Sequence, residues 1–360
     1  MKREAEIVVI GSGIMGSSIA YNLAKAGKEV VVLEQNEICS GTSSATAAWL
    51  WPSDKTPEHY GRLAWHSMEI YKNLEEELGA DFEYTITGSL ELIWTEKQIE
   101  SAKKLIELEE KLGHEVKILT QDETIKMEPV INPNVLGAIY CEEDGNLNPF
   151  LLVNAYIQAA KRHGAEINTN TKVQDLIVKG NSIKEIVTNK GSIKPGLVIC
   201  AAGMYSKELA KKIGVDIPIH PERGFCLVSE RLPKMLNTTV CGARQTASGN
   251  IVFGFVKDTV DSIDRKMYSR GMQMAANDIM RDMPSLGDIN IIRSYTGIRV
   301  IPDDKFPILG PSEIIDNFWL SVTHSAVVFN CALSEIIVQL VNGERDTDSI
   351  PYYAYKRFIK

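Results

Sequence analysis

The chain has no apolar run approaching the ~18 residues needed to span a bilayer as a helix, and its N-terminal MKREAE enters a strand without a secretory apolar core. These absences predict a cytoplasmic protein with no membrane span. A basic excess is also missing. Lys and Arg total 39 against 47 Asp and Glu, a formal net charge of −8, and no basic cluster interrupts the balance. Surfaces for nucleic acid or anionic lipid neutralise phosphates with Lys and Arg, so neither partner is expected. Cysteine is sparse: Cys39, Cys141, Cys200, Cys226, Cys241 and Cys331 lie far apart, and none makes a CxxC or Cys/His ligand spacing. The thiols are therefore expected reduced and mostly buried, and, with six equally scattered histidines, no metal site is expected.

What is present is an ordinary globular composition, 44% hydrophobic over 360 residues. That length can bury a large core and suggests two domains, or one with a large insertion. Residues 7–34 read IVVIGSGIMGSSIAYNLAKAGKEVVVLE: an apolar run, a glycine turn, an amphipathic segment and a second apolar run. This is a βαβ unit. Gly11 permits the tight turn, Gly13 lets the backbone approach a pyrophosphate, and Gly16 lets the helix pack closely on the strand. The phosphates would meet unpaired amides at the helix N-terminus. Glu34 ends the second strand, where a carboxylate binds a ribose 2′-hydroxyl and repels a 2′-phosphate. The spacing predicts dinucleotide binding but leaves FAD and NAD both open.

Later segments organise the rest. An amphipathic helix is predicted over Gly61–Leu78, with Leu63, Met68, Ile70, Tyr71 and Leu74 on one face and His66 as a core or surface residue. From Asp81 the texture changes to a strand at Gly88–Trp94, a charged helix at Glu96–Leu112 and a short acidic one at Asp122–Met127. A helix over Pro149–Arg162 and a hairpin around Gly180-Asn181 follow, then a buried strand in LVICAAG ending at Gly203. After Pro221 the chain leaves again through alternating runs and a helix near Ser269–Met283, and it returns at Ile291. The expectation is an α/β fold: a discontinuous Rossmann-like nucleotide-binding domain with a second, α+β, sheet-rich domain. The nucleotide domain is assigned to 1–80, 145–220 and 291–360, and the substrate domain to 81–144 and 221–290.

The last segment bears most on chemistry. Ser294–Pro311 holds one arginine, Arg299, among apolar residues. FWLSVTHSAVVF then runs from strand to helix with His324 and Ser325 at the junction. A helix N-terminus carries about half a positive charge, which suits a flavin pyrimidine that gains negative charge on reduction better than it suits a nicotinamide. The alternative is that Ser325 merely caps a C-terminal helix.

Taken in order, GSGIMG with Glu34, CSGTSSATAA (39–48), EDGNLNP (143–149), VICAAGMYS (198–206), ERGFCLVSE (222–230), TGIRVIPDDKFPILGP and THSAVVF resemble the D-amino-acid oxidase (DAO) superfamily of FAD-dependent amine oxidoreductases. The likeness covers nearly the whole chain and is nearest the glycine/sarcosine oxidase and opine/proline dehydrogenase branch. It implies FAD contacts at Gly11, Gly13, Ile14, Met15, Gly16, Glu34, Gln35, Thr42, Ser43, Ser44, Val173, Ala202, Gly203, Gly310, Ser325, Ala326 and Val327. It implies non-covalent FAD as well, because Thr296 stands where some members carry a flavin-linking cysteine and no histidine lies in GTSSATAA.

The implied reaction is oxidation of a C–N bond in a small amino or imino acid, by hydride transfer from the α-carbon to flavin N5, with later hydrolysis of the imine. No nucleophile or metal is needed. Arg299 is expected to clamp the substrate carboxylate, since a guanidinium offers two parallel donors; pairing with an internal acid such as Asp303 is the structural alternative. Tyr295 and His324 are further pocket candidates, and Trp49 and Trp51 either wall the pocket or simply pack. Two other classes compete, a nicotinamide-dependent dehydrogenase and a non-catalytic or electron-relay flavoprotein subunit. An electron-accepting partner subunit or a homo-oligomer is compatible with this reading.

Overall fold

The computed structural model describes the backbone of residues 1–260 and 262–359, and the side chains of all these except Phe255, Val256 and Thr259. The first strand, β1 (Glu4–Ile10), has Ile7 to Ile10 buried on both faces, as a strand between two layers must be. It turns through Gly11 into α1 (Ile14–Lys25), and β2 (Val30–Leu33) then lies parallel to it, with Ile7 opposite Val30 and Ile10 opposite Leu33.

Helix α2 (Glu58–Leu78), with Pro57 at its N-cap, starts three residues before the periodicity predicted and stops at Gly79 in the left-handed region. It buries Leu63, Met68, Tyr71 and Leu74, and leaves His66 exposed beside Glu335. Helix α3 (Pro149–Arg162) is capped by Asn148, whose side chain accepts from the amides of Phe150 and Leu151.

The hairpin falls at 173–179 and 182–188, and the long strand β3 (Gly191–Cys200) completes the scaffold. The first half of β3 pairs with that hairpin and its second half with β1. The central sheet runs in the order 173–179, 182–188, β3, β1, β2, 166–168, and two later strands extend it beyond β3. Helices α1, α2 and α3 share one core on one face, while the hairpin and residues 209–219 close the other.

The second sheet is antiparallel. Strands β4 (Ile219–Arg231) and β5 (Asn250–Thr259) are followed by helix α4 (Ser269–Asp282) and by β6 (Ile291–Pro302). Helix α4 packs close to β4, where a Cβ on Gly271 would sit 2.4 Å from the Phe225 ring. Strands 89–93, 116–120, 137–141 and 239–240 form a separate sheet that shares a core with α4 through Leu90, Leu119, Phe253 and Ile279. The chain does not rejoin the central sheet at Ile291. Strand β6 pairs with β4 along its length, and the central sheet resumes at 308–311, followed by β7 (Phe318–Val322) and helix α5 (Ala326–Asn342).

Among the described residues no helix is long and apolar enough to cross a membrane, and no cluster of His, Cys, Asp or Glu is placed to hold a metal.

Candidate active site

One cavity of about 620 Å³ runs from the glycine turn, between the two sheets, to the second sheet's β4, β5 and β6. The turn is tight for a steric reason. Gly11 has φ of +103°, and a Cβ there would lie 2.6 Å from the Ala201 carbonyl oxygen. A Cβ on Gly16 would sit 2.0 Å from the Gly11 oxygen, so α1 can start only against a bare glycine. Gly16 thus acts behind the cavity, whereas Gly11, Gly13, Ile14 and Met15 line it. The amide of Ile14 donates to Ser43 Oγ at 2.9 Å. The next amides have no side-chain cap from Gly13, which leaves an anion-accepting helix end facing the turn.

Glu34 is 8% exposed and lines the cavity with Gln35. One of its oxygens accepts from the Ser12 amide (2.8 Å) and hydroxyl (3.0 Å), and the other from the Asn36 amide (2.9 Å). Donors on both sides fix the carboxylate in place at the end of β2. Val173, Ala202 and Gly203 line the cavity as well.

The loop 39–48 is held from the second sheet. Thr42 Oγ1 donates to the Ile298 carbonyl at 2.5 Å, Arg265 Nη1 to the Ser40 carbonyl at 2.6 Å, and buried Arg244 Nε to the Ala47 carbonyl at 2.6 Å. Gly297 allows this approach, since a Cβ there would lie 2.7 Å from the Ala45 oxygen. Thr42 and Ser43 line the cavity. Ser44 does not; its hydroxyl turns back to the Gly41 carbonyl at 2.8 Å. Nor does Gly310, which pairs with Leu320 inside the central sheet and faces Leu340 and Thr347.

At the far end, Ser325, Ala326 and Val327 present the start of α5 to the cavity. Ser325 is left-handed (φ 53°) and makes no capping bond. Its hydroxyl instead meets His324 Nδ1 at 2.8 Å, and His324 Nε2 meets the Lys305 carbonyl at 2.8 Å. A carbonyl can only accept, so Nε2 carries the proton and Nδ1 accepts from Ser325. Burial, helped by the nearby positive charges of Arg299, Lys55 and Lys257 and opposed by the Lys305 carbonyl, lowers the His324 pKa to about 4. Its imidazole is neutral at pH 7. Ser321 Oγ, buried beside it on the cavity wall, has no partner among the described residues. The anion-ready turn, the fixed acid, the second helix start and this orphaned hydroxyl together fit a dinucleotide with a polar ring system.

Arg299 lines the same end and pairs with Glu222, directly opposite on β4, rather than with Asp303, whose partner is His220. Tyr295 shares Arg299's side of β6, but its hydroxyl points to the Thr46 carbonyl (3.4 Å) and it does not reach the cavity. The stacked pair Trp49 and Trp51, 3.9 Å between centroids, lines the cavity, and Lys55 Nζ lies 4.5 Å over the Trp51 ring. Lys55, Lys257 and Cys226 also line it, and none of the three stands out in the sequence. Burial pushes the Cys226 thiol up to about 12, so it is protonated and unreactive. Lys55 follows a proline turn and Lys257 sits in an alternating strand; neither context marks a site.

The model of the DAO family, described as FAD dependent oxidoreductase, matches residues 6–340. An opine oxidase subunit of Agrobacterium tumefaciens (strain Ach5) is 28% identical over 99% of this chain and 98% of its own. Glycine oxidase of Bacillus subtilis (strain 168) is 28% identical over 86% of this chain and 85% of its own. The crystal structure of L-proline dehydrogenase from P. horikoshii superposes with a TM-score of 0.92 at 26% identity, covering 99% of this chain and 98% of that one. The chain therefore belongs to the DAO family of FAD-dependent oxidoreductases.

Proposed function

We propose that the protein oxidises the C–N bond of a small amino or imino acid. The observation that carries this is Arg299, a cation on the cavity wall at the end opposite Glu34, where the reacting part of the cofactor would lie. Bound FAD supplies the two-electron acceptor for the hydride leaving the substrate α-carbon. Glu34 would hold the ribose, the Gly11–Met15 turn and Ser43 would hold the diphosphate, and Ser325 to Val327 at the start of α5 would hold the flavin end. Arg299 binds the carboxylate and so fixes the α-carbon, while Trp49 and Trp51 keep water from that end. His324 orients Ser325, because its only lone pair is already engaged. The imine product is hydrolysed in water.

Names of relatives support the substrate class: an opine oxidase, a glycine oxidase and an L-proline dehydrogenase. The first of these is one subunit of its enzyme, which supports an electron-accepting partner here too. The flavin side is assigned to 1–80, 145–220 and the chain beyond β6, and the substrate side to 81–144 and 221–302.

The test is anaerobic mixing of the purified yellow protein with glycine, N-methylglycine, proline, D-alanine and N-carboxyalkyl amino acids. Bleaching of the flavin absorbance by any of them supports the reading. A flavin that none of them reduces, but that accepts electrons from NADH or another flavoprotein, establishes the electron-relay role instead.

A further inference from the structure

A buried polar cluster holds the first turn of α5 from behind. Tyr71 on α2, Tyr156 on α3 and Asn330 on α5 itself are each no more than 1% exposed, in the core that these helices share with α1. Asn330 Nδ2 lies 2.6 Å from Tyr71 Oη, 3.0 Å from the Ala326 carbonyl and 2.9 Å from the Val327 carbonyl. Tyr71 Oη donates to the same Val327 carbonyl at 2.5 Å, and Tyr156 Oη donates to Asn330 Oδ1 at 2.8 Å. The direction of these bonds is forced. A carbonyl only accepts, so the Asn330 amide turns its nitrogen toward the helix start and its oxygen toward Tyr156. Burial holds both phenols well above their ordinary range, so both stay protonated as donors.

Packing alone does not call for this cluster. Phenylalanine and leucine would fill similar volume without polar groups whose burial costs free energy unless each is bonded. The bonds reach the cavity through the backbone. The Ala326 oxygen and the Val327 amide belong to one peptide unit, so a donor on the oxygen leaves the N–H more positive. The Val327 oxygen shares its peptide with the Val328 amide, which donates to the Ser325 carbonyl at 2.9 Å, and that carbonyl shares its own peptide with the Ala326 amide. Both routes end on the amides of Ala326 and Val327. Among the described residues neither amide has an acceptor, and Ser325 to Val328 line the cavity. Ser325 makes no capping bond, so the cluster, not an N-cap, fixes this helix start.

Resting on the reading that the start of α5 holds the flavin end, we propose that Tyr71, Asn330 and Tyr156 are positioning residues that fix this turn and polarise its two unbonded amides. They thereby raise the reduction potential of the flavin, because a more positive helix start favours a ring that gains negative charge. None of the three lines the cavity, so each acts through the backbone of α5 rather than on cofactor or substrate. Tyr71 and Asn330 act on the turn directly, and Tyr156 acts through Asn330.

The test is the flavin potential of the holoenzyme, read by equilibration with a reference dye during slow reduction, which needs no substrate. In Tyr71→Phe and Asn330→Leu the equilibrium constant for two-electron reduction should fall about threefold to tenfold. That is a drop of about 15–30 mV, at about 30 mV per tenfold. Tyr156→Phe should shift it less, and Tyr71→Phe decides the matter where Asn330→Leu misfolds. Trp65→Phe is the control: it breaks a buried hydrogen bond from the same helix to Glu109 (2.7 Å), and should lower Tm without moving the potential. A Tyr71→Phe constant within about twofold of wild type, or an equal shift in Trp65→Phe, overturns the proposal and leaves the cluster a matter of stability alone. Val327→Pro, which removes one of the two amides where a first-turn proline is tolerated, tests the placement of α5 separately. A shift in Val327→Pro with none in Tyr71→Phe sinks the positioning role only. No shift in any of these variants means that α5 does not hold the flavin end, and the positioning role falls with it.

Discussion

Glu222 and Arg299 are direct register partners across β4 and β6, and Arg299, which lines the cavity, forms an ion pair with Glu222 behind it, each side chain about 25% exposed. The guanidinium that would bind substrate is thus already aimed by a carboxylate. One face of its fork is engaged, and the rest remains for an incoming anion.

Arg299→Ala should lower kcat/KM by roughly 30- to 5,000-fold, the equivalent of about 2–5 kcal/mol for a desolvated charge pair. Because the clamp also aims the α-carbon, kcat should fall with affinity. Arg299→Lys keeps the charge but not the fork, and should lie between. Steady-state kinetics check this once flavin content is matched. A folded, FAD-loaded Arg299→Ala enzyme within about threefold of wild type would place the carboxylate elsewhere.

Glu222→Gln removes the competing anion while keeping a hydrogen-bond acceptor. A partly exposed pair is worth about 1 kcal/mol, so KM for a carboxylate substrate should fall about threefold to tenfold. A KM that rises instead would mean that Glu222 is needed to orient the arginine.

Glu34 ties Ser12, Asn36 and the expected ribose together. Glu34→Ala should raise the FAD dissociation constant about 10- to 100-fold, a loss of roughly 1.4–2.8 kcal/mol. Fluorescence titration of the apoprotein reads this directly. Equal affinities in the two proteins would remove Glu34 from the FAD site.

FAD should be held without a covalent bond. Thr296 is buried, and the one cysteine on the cavity wall, Cys226, is kept protonated by burial. Acid precipitation should leave the yellow colour in the supernatant; colour in the pellet would contradict this.

His324 sets a pH dependence of stability. Its pKa falls from 6.5 to about 4 on folding, chiefly through burial. Between those values the unfolded chain takes up a proton that the native imidazole refuses. The stabilisation is complete above about pH 6.5 and is lost as pH falls toward 4. Plotted against pH over this window, Tm should decline less steeply for His324→Asn than for the parent. Parallel curves would indicate an imidazole that protonates normally in the fold.

Local chemistry made the first βαβ unit readable. Gly11, Gly16 and Glu34 lie close together in the chain, and each answers to a steric or hydrogen-bonding need of that one turn. Arg299 stood out for a similar reason, as the one arginine in the apolar stretch from Ser294 to Ile301. Its partner did not, because Glu222 lies 77 residues away and only the β4–β6 register brings it opposite. Asp303, close in sequence, is instead drawn to His220. The same limit hid Lys55 and Lys257, which meet only where the two sheets face each other, and it set the return to the central sheet too early, at Ile291. The alternation in β6 describes a strand but not its neighbours. Ser44 shows the converse, a motif position whose hydroxyl bonds locally to the Gly41 carbonyl.

Strand β6 serves two masters within three consecutive residues, 297–299. Gly297 and the Ile298 carbonyl brace the loop that would seat the cofactor, and Arg299 faces the reactant. Reprogramming the enzyme for a new reactant by altering this strand would therefore also erode cofactor retention, since any tilt of Arg299 is transmitted to Thr42 and Ala45.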